Sequence, residues 1–229
     1  MKIKSFNIAS LISILLIILS VFLLIINPKK ENNLTKGYST PIIAFEFIDF
    51  PAAVQFFFEV KNPTEYKNSM LLGNKVDYFF MLVYSTFLFF VAKGIYSIFR
   101  LKILYLAMIF CVLMLLGDAF ENFQIYNIIQ NYKTTNIQQN LDWLHIFTWL
   151  KWSSIASTFL IFAPFFWKLN NFGKVISIVE IACFCLAIIA FFMNGMWHEI
   201  FALSVSVTFL LLTLFVFLFK TDSAIQYNV

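Results

Sequence analysis

Residues 101–122 read LKILYLAMIFCVLMLLGDAFEN, and this stretch decides the fold. Between Lys102 and Asp118 the run is apolar and carries no charge. Roughly 20 apolar residues cross a hydrocarbon core as a helix, so lipid is the solvent this segment asks for. No turn residues follow Gly117, and the helical reading continues through Asp118 and Glu121 to about Ile129. The acids at its end therefore belong to the same helix as the span.

Working outward, five further stretches have the same character: 8–26, 77–99, 141–167, 175–194 and 199–219. The first follows Lys2 and Lys4 and precedes Asn27, Pro28, Lys29 and Lys30. It lacks the short core and small-residue cleavage site of a signal peptide and reads as an uncleaved helix. Asn170-Asn171-Phe172-Gly173 and Asn194-Gly195 are turns by residue type, and 130–140 is a polar loop. The long connection 27–76 holds an apolar middle, 41–60, broken by Glu46, Asp49, Pro51 and Glu59. Four interruptions argue against a full span and for an interfacial or re-entrant segment. The expected architecture is an all-α polytopic bundle of about six transmembrane helices, one membrane domain over 1–229, with that segment packed on its outer face.

Composition agrees. The chain is 61% hydrophobic and 20% aromatic but only 12% charged, against about 25% charged in a soluble domain. The basic residues are scattered, with no polybasic tract or basic face, so nucleic acid is not an expected partner and the lipid bilayer is. Cys111, Cys183 and Cys185 lie in apolar stretches without CxxC or zinc-type spacing and read as small buried hydrophobes.

Lysine and arginine beside the spans set orientation. Lys93, Arg100 and Lys102 join spans two and three, Lys168 and Lys174 join four and five, and Lys220 follows span six. Between spans three and four only Lys133 occurs. Both termini are therefore expected on the cytoplasmic side of a multi-pass cell-membrane protein, although the first outer loop carries six lysines of its own (Lys29, Lys30, Lys36, Lys61, Lys67 and Lys75). On that topology most acids and both histidines fall at the outer ends, with Asp222 inside and Glu180 within span five. Trp143, Trp149, Trp152 and Trp197 lie near the outer level, as an aromatic belt would.

The candidate site starts from Asp118-Ala119-Phe120-Glu121-Asn122. Residues three and four apart share a helix face, so Asp118, Glu121 and Asn122 project together. Two like charges so close to lipid repel, and a cation or a lysine would relieve them. Lys151, in Trp149-Leu150-Lys151-Trp152, lies about 15 Å along span four from Leu141. Its side chain leans back toward the helix N-terminus, and an ion pair with Asp118 or Glu121 is favoured over snorkelling. Asn74, Asp77 and Tyr84 share one face of span two, so Asp77 is placed in the same binding group as Asp118, Glu121, Asn122 and Lys151. Asp142 and His145, with His198 and Glu199, supply metal-ligand residue types, but without HExxH or a comparable motif. No cofactor is named by the sequence, nor is any nucleotide or hydrolase fingerprint present. Three readings follow: binding or transport of a cation, proton or small zwitterionic solute; an enzyme acting on a lipid or amphiphile at the outer leaflet, with Glu121 or Asp118 assisted by His145 or His198; or a structural assembly protein. The first two imply a small-molecule or lipid ligand.

Overall fold

The computed structural model describes residues 3–31, 33–133 and 137–219. Among them are eight helices and no strand: α1 (Lys4–Ile26), α2 (Pro41–Glu46), α3 (Pro51–Phe57), α4 (Pro63–Phe99), α5 (Ile103–Asn131), α6 (Gln138–Trp167), α7 (Asn171–Phe192) and α8 (Met196–Leu218). Six of these, α1 and α4 through α8, are long and apolar enough to cross a membrane. Lys2, Lys220 and Asp222, used for orientation above, lie outside the described residues.

The helix ends follow local chemistry. Pro41, Pro51 and Pro63 each sit in the first turn of α2, α3 and α4, where a missing N–H costs no bond. The interrupted segment is therefore two short helices, neither long enough to span. Span two begins as a helix at Pro63 rather than at 77, because no breaker occurs between that proline and Arg100 and Glu65 sits favourably in the first turn. With 37 residues α4 is about 55 Å long, so its first turns extend beyond an apolar layer of about 30 Å. α5 runs unbroken to Asn131 and carries Asp118 and Glu121 within it. Asn170 caps α7 by accepting from the Gly173 amide at 2.8 Å.

In lipid the helices gain nothing from hydrophobic exclusion and rely on close contact and polar pairing. Gly117 provides a close backbone approach: a Cβ there would lie 2.7 Å from the Lys151 backbone nitrogen. The α5 and α6 backbones meet at that level. α1 meets α8 where the Phe6 ring packs against Phe215 and Phe219, with centroids 5.6 and 5.1 Å away.

The segment that carries α2 is fastened to α8. Glu199 Oε1 accepts the Ser39 and Thr40 amides at 2.8 and 2.7 Å, and its Oε2 accepts the Thr40 hydroxyl at 2.7 Å. His198 Nε2 lies 3.0 Å from the Ala190 carbonyl, which only accepts, so that nitrogen carries the proton. Its Nδ1 then accepts the Tyr38 hydroxyl at 2.6 Å. Burial pushes the Tyr38 hydroxyl up to about 12, and the carboxylates of Asp49, Glu199 and Glu46 add to this. Phe47 stacks on the His198 ring at 3.6 Å. These contacts hold α2 so that its last residue, Glu46, reaches into the bundle.

Candidate functional site

The site is organised around Lys151, near the middle of α6 and 6% exposed. Its ammonium donates to Glu121 Oε1 at 2.7 Å and to Glu46 Oε1 at 3.1 Å. Asp118 Oδ1 is 3.7 Å away. The ring of Trp152 lies 4.9 Å from the same ammonium, and its Nε1 donates to Glu46 Oε2 at 3.0 Å. α5 supplies two of these carboxyls because Asp118 and Glu121 are one turn apart, and Gly117 lets Lys151 come within reach.

A second layer continues from Asp118. Its Oδ2 accepts the Tyr84 hydroxyl at 2.6 Å. Asn122 Nδ2 donates to Asp77 Oδ2 at 2.7 Å and more distantly to Asp118 Oδ1 at 3.5 Å. Asn74 Nδ2 donates to the Asn122 carbonyl at 3.0 Å. All five binding residues expected from the sequence thus meet in one place, and Glu46, Tyr84 and Trp152 join them. Trp152 is a correction to the aromatic-belt reading: it is 9% exposed and turned inward to a carboxylate, whereas Trp143, at 45%, faces outward.

Hydrogen-bond accounting exposes an imbalance. Lys151, Trp152, Tyr84, Asn122 and Asn74 each donate within the cluster. Glu121 Oε2, Asn74 Oδ1 and the nearby Asn27 Oδ1 are buried acceptors without a partner among the described residues. Three carboxyls lie within 4 Å of one ammonium, and a fourth, Asp77, joins the cluster through Asn122. At an effective dielectric of about 20, the Lys151–Glu121 contact is worth about 6 kcal/mol before desolvation, and the lysine is shared among several such partners. Burying charge at membrane depth is expensive unless it is matched.

The cluster forms one wall of a cavity of about 520 Å³. Glu46, Asp77, Asp118, Asn122 and Lys151 face it, together with Asn74 and Tyr84; Glu121 lies behind Lys151 and does not line it. The remaining wall is mostly apolar and comes chiefly from α1, α2 and α8, with Met70 and Phe80 of α4, Ile125 of α5 and Ile155 of α6 completing it.

The four residues with metal-ligand side chains are not brought together. Asp142 Oδ1 accepts from Gln138 at 2.9 Å, His145 Nδ1 lies 3.9 Å from Asp49, and His198 and Glu199 hold the segment that carries α2. Among the described residues no group of three or more His, Cys, Asp or Glu side chains is placed to hold a metal ion. Glu180 stands apart on α7, fully buried, with neither oxygen hydrogen-bonded.

Sequence reasoning passed over Glu46 as one more interruption of an apolar segment. Its signal was present: an acid between Phe45 and Phe47 on a helix too short to span must turn inward or be solvated. Compared with protein-family models, curated proteins and solved structures, the chain matches none of them.

Proposed function

We propose that this chain is a membrane binding or transport protein for a cation or proton, with Glu46, Asp77, Asp118, Glu121, Asn122 and Lys151 as its site. One observation carries the reading: Glu46, Asp118 and Glu121 share the single Lys151 ammonium, and the first two of these carboxyls face the cavity together with Asp77. A positive ligand supplies what the wall lacks. A zwitterion fits less well, since its anionic group would meet the carboxyls of Glu46, Asp77 and Asp118 on the same wall. The lysine and arginine distribution supports placing this end of the bundle away from the cytoplasm.

The enzyme reading had His145 or His198 assisting the carboxylates, and neither histidine lines the cavity. A purely structural role would be met by Lys151 and one partner. It leaves the additional carboxyls and the orphaned acceptors without a reason.

The test is uptake of radiolabelled methylammonium and sodium by proteoliposomes, with and without a proton gradient. Saturable uptake or proton counterflow is expected, lost in Asp118→Asn and Glu121→Gln at unchanged folded yield. Flux equal to that of protein-free vesicles for every cation and for protons overturns the transport reading. A change confined to folded yield supports the structural role instead.

A further inference from the structure

The cavity opens sideways. Its exposed lining residues are Ile17, Val21 and Leu24 on α1 and Ser206 and Leu210 on α8; Leu24 is 81% exposed and Leu210 56%. The same two helices are pinned together at the opposite end by Phe6 against Phe215 and Phe219. They touch at one level and leave a slot at the other, with apolar lips in the part of the chain that faces acyl chains. A small hydrated cation finds no polar path along these lips. A cation attached to an apolar chain does not need one, since it is already dissolved in the layer the slot faces.

The head end narrows the chemistry further. Asn74 is 7% exposed, lines the cavity, and its Oδ1 has no partner. Asn27 Oδ1, on the α1 side of the same cavity, is also orphaned. Gly73 leaves the room that this amide occupies, for a Cβ there would lie 2.2 Å from Asn27 Oδ1. Together with Asp77 and Asp118 these oxygens make a wall rich in acceptors. Such a wall suits a head group with several N–H donors, because an unmet buried acceptor carries its full desolvation cost.

We infer that the ligand is an amphiphilic primary amine taken from the bilayer, its ammonium against Asp77, Asp118 and Asn74 and its apolar chain along the slot between α1 and α8. This rests on the cation-binding reading and adds to it the ligand class and the route. In a bilayer the chain gains little by moving from lipid to an apolar slot. Partition of the chain into the bilayer concentrates the amine beside the slot and so raises its apparent affinity over that of a short-chain amine, while the head group decides binding within the layer.

The experiment is equilibrium binding to the full chain in lipid nanodiscs, with empty nanodiscs subtracted. The probes are dodecylammonium, dodecyltrimethylammonium, dodecanol and methylammonium. Dodecylammonium is expected to bind saturably and at least tenfold more tightly than each of the others. Val21→Trp, a substitution at an exposed lip, is expected to weaken it at least tenfold with the thermal midpoint unchanged. Methylammonium binding as tightly as dodecylammonium overturns the amphiphile inference and leaves the cation reading standing. Equal binding of dodecyltrimethylammonium overturns the N–H recognition. Equal binding of dodecanol, or no saturable binding of any ammonium probe, overturns the inference, while the sodium and proton flux measurements decide the cation reading separately.

Discussion

Replacing Lys151 by methionine keeps the stem of the side chain and removes its charge and three donors. The variant leaves Glu121, Glu46 and Asp118, which sit 2.7, 3.1 and 3.7 Å from the ammonium, facing one another without a counter-charge. Taken singly at an effective dielectric of about 20, those attractions are worth about 6, 5 and 4 kcal/mol. Most of this offsets the cost of desolvating the ions, so the sum is not the stability at stake. Removing one partner from a buried ion pair costs about 3–5 kcal/mol. For a chain of this size that corresponds to a fall of about 6–20 °C in thermal midpoint, read by intrinsic fluorescence of the protein in mild detergent. Adding Glu121→Gln to Lys151→Met should return part of the loss, because one of the stranded carboxylates is then gone. A fall below about 2 °C, or a double variant whose loss is the sum of the two single losses, would refute the reasoning.

Glu199→Ala removes the acceptor of three hydrogen bonds at the start of α2; local opening should become easier by about 1–2 kcal/mol, seen as faster amide exchange over residues 39–46. Tyr38 binds its proton more tightly in the folded chain, with a pKa of about 12 against 10.0 for the free side chain. The folded state therefore holds more protons than the unfolded one between these values, and stability should fall as pH rises through that window. Tyr38→Phe should flatten the decline, and an unchanged slope would rule out this origin. Glu180→Met replaces a buried carboxyl that makes no hydrogen bond and should raise stability by about 1–3 kcal/mol, measured by the thermal midpoint; a drop would mean that the carboxyl has a partner in the folded protein.

Much of this architecture was legible because lipid leaves few options. Long apolar runs must be helices there, and the three- and four-residue spacing of Asp118, Glu121 and Asn122 put them on one face before any packing was known. Lys151 was legible for the same reason, since a lysine so far along a span needs a partner. Glu46 was not, because its position depends on how α2 docks. That docking is set by Glu199 and His198, more than 150 residues later in the chain. Residue type pointed to His198 and Glu199 as metal ligands, but a histidine and a carboxylate at a helix start equally serve backbone amides and a tyrosine hydroxyl. Trp152 shows the same ambiguity: an indole near the membrane surface fits a belt or an inward hydrogen bond, and only the Glu46 carboxylate decides between them.

The most direct measurement is a calorimetric titration of dodecylammonium into the full chain in nanodiscs, comparing wild type with Asp77→Asn, Asp118→Asn and Glu180→Gln. If the acceptor-rich wall recognises positive charge, Asp77→Asn and Asp118→Asn weaken binding at least tenfold, while Glu180→Gln, which lies outside the cavity, binds as wild type does. Equal affinity in all four proteins would contradict the account.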